Sequence, residues 1–244
     1  MNEKVDILGI NVDKITLDEA VAQAQKMLVD GGAYNVFTPN PEIMQLAQKD
    51  QELTEILNAA DLLLPDGIGI ILAARMLKKP MAGRVPGIDF ASSLFAVAAK
   101  TGKKVFLFGA APGISELAKI NLEKKHPSLE VSGTRNGFFK EDEIDSIIDM
   151  INNSGADILL VCLGAPKQEK WIAKYRERLN PAICIGAGGA LDVFSGKVNR
   201  APRAMQKAGL EWLYRAIKSP SRIPRLAAIP KFLWKVARSK GRKS

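Results

Sequence analysis

Short apolar runs stopped by glycine, proline or asparagine recur along the first 195 residues, and most are followed by a stretch that opens with a helix-start signal. Runs near Val5–Ile10 and at Tyr34–Thr38, Asp61–Leu64, Lys104–Phe108, Leu129–Gly133, Asp157–Leu163 and Ala182–Gly186 read as strands, because brief apolar runs bounded by turn residues fit buried β-structure. Between them, Thr16 and Glu19 form a capping box ahead of a helix that Gly31 and Gly32 stop. Asn40 stands as an N-cap before Pro41 and Glu42, a favoured first turn. The acidic stretch Glu141–Asp145 reads as a helix N-terminus complementing its dipole. The alternation predicts an α/β fold, a Rossmann-like, mainly parallel sheet with helices on both faces. At residue 196 the pattern changes, dividing an α/β body, 1–195, from an appendage, 196–244.

Candidate chemistry gathers where these strands end, the usual place for ligands in open α/β sheets. The run Asp61–Leu64 stops at Pro65 and hands Asp66 to a turn opened by Gly67 and Gly69. A carboxylate there is a candidate general base; it is equally the ordinary N-cap of a helix beginning at Gly67, and the two roles are compatible. Thr38 and Asn40 sit at a second strand end, and Arg84 lies in the Gly/Pro-rich loop 83–89, a position that carries function or is a solvated charge. The turn from Gly109 to Gly113 offers backbone N–H groups to a phosphate. Its spacing is not the dinucleotide fingerprint and no ribose-binding acid follows, which disfavours a nicotinamide dehydrogenase. Two further glycine turns, 164–169 and 186–192, carry Gln168 and Asp192. With one histidine, His126, and no Asp-x-Asp, metal-dependent chemistry finds little support.

Charge alters this picture at one end only. The chain of 244 residues has a net charge of +9, yet residues 196–244 hold 14 basic side chains against one acidic, Glu211, so the body is slightly negative. Leu210, Leu213 and Ile217 share a helical face beside Trp212 and Tyr214, and Ile229, Phe232, Leu233 and Val236 alternate with Lys231, Lys235 and Arg238. Such segments suit an anionic membrane interface, a helical hairpin packed on the body, or an RNA-binding arm. No apolar run is long enough to span a bilayer and the N-terminus lacks a signal-peptide core, so a cytoplasmic protein is expected. Cys162 and Cys184 lie inside strand-like runs and read as buried thiols, neither a disulfide nor a nucleophile.

Six segments in order carry a resemblance. Thr38-Pro-Asn-Pro-Glu42, Pro65-Asp-Gly-Ile-Gly69, Arg84-Val-Pro-Gly-Ile-Asp89, Gly164-Ala-Pro-Lys-Gln-Glu-Lys-Trp171, Gly186-Ala-Gly-Gly-Ala-Leu-Asp192, and Arg200-Ala-Pro-Arg203 with Gly209-Leu-Glu-Trp-Leu-Tyr-Arg215 make the chain closely similar to the WecG/TagA/CpsF family of bacterial glycosyltransferases, and within it to the N-acetylmannosaminyltransferases of wall teichoic acid synthesis. The likeness runs nearly the whole length; Leu191, where phenylalanine is expected, is a small departure. It implies an inverting, metal-independent transfer, without cofactor, of N-acetylmannosamine from UDP-ManNAc to the 4-hydroxyl of N-acetylglucosamine on undecaprenyl diphosphate, at the inner membrane face. A relative using another UDP-sugar, such as the uronic acid form, is the near alternative; a nucleotide-binding protein acting on RNA is the distant one. By the same resemblance Asp66 matches the base, and Thr38, Asn40 and Arg84 match pocket residues. Gln168 and Asp192 are sugar or uridine contacts, and Arg84 with Arg215, Arg222 and Arg225 faces diphosphate. The expected partners are the two substrates and an anionic membrane surface, not nucleic acid, with a homo-oligomer left open.

Overall fold

The structure, a computed structural model, describes residues 2–218 and 228–240. It opens with a hairpin, β1 (Lys4–Ile7) and β2 (Ile10–Asp13), where the apolar run predicts a single strand. The chain reverses through Leu8 and Gly9, both at positive φ (56° and 85°). Tight hairpins use this conformation, but a bulky leucine in it is uncommon, so the sequence carries no Asn-Gly type of signal.

Six parallel strands follow: β3 (Tyr34–Phe37), β4 (Leu62–Leu63), β5 (Lys104–Gly109), β6 (Glu130–Arg135), β7 (Ile158–Cys162) and β8 (Ile183–Gly186). Their order across the sheet is β4-β3-β8-β7-β5-β6. Register sets the site: Phe37 stands level with Leu63 on one side and Gly186 on the other, so the loops leaving β3, β4 and β8 emerge side by side.

Alternate residues divide the sheet between two cores, as the pleat requires. Phe37, Leu63, Phe106, Phe108, Leu159, Val161 and Cys184 point to one, and Val36, Leu62, Val105, Leu107, Leu160 and Ile185 to the other. The second is covered by α1 (Leu17–Asp30), whose Thr16–Glu19 capping box forms as predicted. Of the helices introduced further along, α5 (Gly87–Thr101), α6 (Ile114–Lys125) and α9 (Ala190–Phe194) join it there. The hairpin covers the first core together with α2 (Pro41–Ala47), α3 (Gln51–Asn58), α4 (Ile68–Met76), α7 (Ile144–Asn153) and α8 (Lys167–Tyr175).

The appendage contributes α10 (Arg203–Lys207), α11 (Glu211–Lys218) and α12 (Ala228–Lys240). Phe232 and Val236 of α12 are fully buried in the first core, packed with α2 and α4, so this helix is docked on the body. On α11 the polarity is inverted. Leu210, just before it, and Ile217 are exposed (38% and 69%), whereas Glu211 and Ala216 are buried. The inner face holds an acid because arginines meet it there.

Candidate active site

A cavity of 520 Å³ opens at the carboxyl ends of β3, β4, β7 and β8. Its walls are three turns laced by backbone hydrogen bonds: Asp66 N–H donates to Pro39 O (3.2 Å) and Val85 N–H to Pro65 O (2.9 Å). Gly67, at φ 87°, allows the chain to leave β4 and enter α4 at once, and no side chain caps that helix. The capping alternative for Asp66 is therefore not realised. Its Oδ2 instead accepts from Gly87 N–H at 3.5 Å, at the head of α5, where the helix dipole favours negative charge.

Of the residues expected from sequence, Thr38, Asn40, Asp66, Arg84, Gln168 and Asp192 all line this cavity. Thr38 Oγ1 donates to Gly186 O at 3.2 Å, tying the ends of β3 and β8. Asn40 Oδ1 caps α2 by accepting from Glu42 and Ile43 N–H (2.9 and 3.1 Å), which leaves its amide nitrogen to donate. Gln168 is almost wholly buried; its Oε1 accepts from Gly188 N–H and its Nε2 donates to Glu169, both at 2.9 Å. It thus braces the glycine turn after β8.

Gly109 and Gly113 stand apart from that cavity. A Cβ on Gly109 would lie 2.3 Å from Cys162 O, so this glycine admits the close approach of β7 to β5. The intervening Ala110 and Ala111 line a second hollow with Phe138, Lys140 and Lys167; the two share Cys162, Leu163 and Asp192. Of the tail arginines, Arg222 and Arg225 lie outside the described residues, as does the Arg215 side chain.

Sequence reasoning missed several lining residues: Glu42, Glu211, Trp212 and Ile229. Glu42 and Glu211 sit inside the quoted motifs, and Glu211 is the tail's single acid, which was the available signal. Among the described lining residues Arg84 is the one cationic side chain, against carboxylates from Glu42, Asp66, Asp192 and Glu211. Cys162 forms part of the wall, but burial pushes its thiol up to about 12, leaving it protonated and a poor nucleophile. Both cysteines are buried and free, as expected. Burial also raises the Glu169 carboxyl above its ordinary range, against the opposing hydrogen bond from Gln168.

A parallel α/β sheet with a polar cavity beyond its strand ends, lined by four carboxylates and one arginine among the described residues, is the architecture of the ligand-binding α/β class. The chain belongs to the glycosyl transferase WecG/TagA/CpsF family, whose model matches residues 5–244. It is 35% identical over 239 residues to the N-acetylglucosaminyldiphosphoundecaprenol N-acetyl-beta-D-mannosaminyltransferase of Staphylococcus aureus strain MW2, covering 97% of this chain and 93% of that protein. The protein of the same name from strain MRSA252 matches to the same extent.

Proposed function

We propose that the chain transfers N-acetylmannosamine from UDP-ManNAc to the 4-hydroxyl of N-acetylglucosamine carried on undecaprenyl diphosphate, with inversion. The activity in the relatives' name, together with sequence similarity over nearly the full length of both chains, supports the substrates. The single observation supporting the mechanism is that Asp66 lies at the mouth of β4 in a cavity whose polar walls include Thr38, Asn40, Arg84, Gln168 and Asp192.

The chemistry follows from that arrangement. The acceptor hydroxyl attacks the anomeric carbon from the face opposite UDP; its oxygen forms the new bond, its proton passes to the Asp66 carboxylate, and the bond from carbon to the UDP oxygen breaks. The Gly87 N–H beside Oδ2 helps to orient the carboxylate at the cavity. Negative charge grows on the departing diphosphate, and Arg84 meets it, joined in this reading by Arg215, Arg222 and Arg225 in place of a metal ion. Ala110 and Ala111, with Lys140 and Lys167 near them, form the flanking hollow that takes the nucleotide end of the donor.

The appendage holds the enzyme on the membrane and closes the site. Gly209, Glu211, Trp212, Ala228 and Ile229 line the cavity, while Leu210, Ile217 and Trp234 are exposed, and Trp234 shares α12 with the exposed Lys231 and Arg238, the latter lying over its ring. Apolar side chains among basic ones suit the headgroup region of an anionic leaflet. No helix among the described residues is long and apolar enough to cross a membrane, so attachment is peripheral in this reading.

The test is release of UDP from a panel of UDP-sugars with a short-chain polyprenyl-diphosphate N-acetylglucosamine acceptor. Acceptor-dependent release from UDP-ManNAc alone is expected. Release from the uronic acid sugar in preference, or from none, would overturn the assignment.

A further inference from the structure

We propose that Glu211 is a positioning residue for the transfer: from the appendage it holds the Arg84 guanidinium in place at the cavity wall, so that docking of the appendage and alignment of the leaving-group cation are one event. The inference rests on the reading of Arg84 as the group that meets the departing diphosphate.

Arg84 sits on the glycine- and proline-bearing loop 83–87, and nothing in its own loop is seen gripping its head. Both contacts come from the appendage. Nη2 donates to Gln206 O at 2.9 Å, and Nη1 lies 4.0 Å from Glu211 Oε2. Neither partner is in open water: the Arg84 and Glu211 side chains are 21% and 10% exposed. A guanidinium has five N–H donors in a rigid fork, so two anchored edges still leave donors for a phosphate oxygen.

The other oxygen of Glu211 ties this contact to the body. Oε1 accepts from Arg200 Nε at 3.4 Å, and Arg200 grips Asp89 with both terminal nitrogens, the Nη2 to Oδ2 bond being 2.8 Å and the Nη1 to Oδ1 bond shorter still. Asp89 belongs to the first turn of α5, the same turn whose Gly87 N–H faces Asp66. The chain of contacts therefore runs from Asp66 through Gly87 and Asp89 of α5 to Arg200, Glu211 and Arg84, and it returns to the cavity at the loop whose Val85 N–H is bonded to Pro65 O. One carboxylate bridges two arginines, one anchoring the appendage and one facing the ligand.

A positional role has a distinct consequence. With four carboxylates in the walls, an Arg84 released from Glu211 has Asp66, Asp192 or Glu42 as competing partners, and pairing with Asp66 would remove the base as well as the cation. Glu211 prevents that by acting on Arg84 rather than on the reacting atoms.

The experiment is a double-mutant cycle of Glu211→Gln and Arg84→Ala on the full chain, reading kcat, the donor KM and UDP affinity by calorimetry, with thermal unfolding of each variant. Glu211→Gln is expected to lower kcat about 10- to 100-fold, the scale of misplaced catalytic groups, with a smaller change in donor KM. In the Arg84→Ala background the same substitution is expected to change kcat little, and Glu211→Asp is expected to recover part of the loss. A Glu211→Gln factor that persists without Arg84, or wild-type kcat in Glu211→Gln, overturns the proposal. If no UDP-sugar is turned over, the functional reading fails, and the same cycle read on UDP affinity decides the positional role by the same criterion.

Discussion

A Cβ placed on Gly69 would come within 2.3 Å of Cγ of Pro41. The first turns of α4 and α2 touch there, which brings the Asp66 turn and the Asn40 cap onto one wall of the cavity. Gly69→Ala gains up to about 1 kcal/mol of helix propensity. It must also push a rigid proline ring aside, and overpacking costs about 1–3 kcal/mol. A net loss of up to about 2 kcal/mol in urea unfolding, with a fall in turnover larger than stability explains, is expected; a variant as stable and active as wild type would show that the contact yields easily.

The hairpin has a similar tie to the site. Asp13 is 1% exposed and its Oδ2 accepts from Leu63 N–H at 2.7 Å, on the strand that leads to Asp66. Asp13→Ala leaves that N–H without a partner and should cost about 1–3 kcal/mol in chemical denaturation. Asp13→Asn, which keeps an acceptor oxygen, should cost less; equal losses would mean that charge rather than the hydrogen bond matters.

Glu169 gives a pH-dependent signature. Burial raises its carboxyl in the folded state, so protonation favours the fold: the contribution is whole at pH below the unfolded value of about 4.3 and is lost as pH rises through the raised folded value. Glu169→Gln is neutral throughout. The unfolding free energy of wild type relative to this variant should therefore decline as pH rises, and a pH-independent difference would place the Glu169 proton elsewhere.

Membrane attachment is better tested by point changes than by removing residues 196–244, because deletion would uncover the core that Phe232 and Val236 fill. Ile217 and Trp234 are 69% and 61% exposed. Ile217→Asp with Trp234→Ala should reduce sedimentation with anionic vesicles about tenfold or more, since burying one such side chain is worth about 1.5–3 kcal/mol, and should leave the unfolding midpoint unchanged. Unaltered sedimentation would assign these side chains another role.

If arginines alone meet the leaving diphosphate, EDTA should leave UDP release unchanged, and a requirement for added Mg²⁺ or Mn²⁺ would contradict that account.

Much of this was legible in the chain. The apolar runs gave all six strands of the main sheet, and the Thr16–Glu19 box and the Asn40 cap form as written, because each depends on neighbours in sequence. Thr38, Asn40, Asp66, Gln168 and Asp192 converge because parallel strands in near register deliver their loops to one edge. What depended on contacts distant in sequence was not legible. The Leu8–Gly9 reversal lacks a recognisable turn pair, the close approach of Gly109 to Cys162 O has no local signal, and Glu211 acquires meaning only beside Arg84 and Arg200. The orientation of α11 followed from those ion pairs, which outweighed the hydrophobic pattern of the helix itself.

The central claim is that Asp66 removes the proton from the attacking hydroxyl, and turnover of Asp66→Asn measures it most directly. Substituting an amide keeps the shape, so UDP affinity and the unfolding midpoint should stay near wild type while acceptor-dependent UDP release falls ~10²- to 10⁴-fold, the usual contribution of a general base. Release at the wild-type rate from a folded, UDP-binding Asp66→Asn would contradict the account.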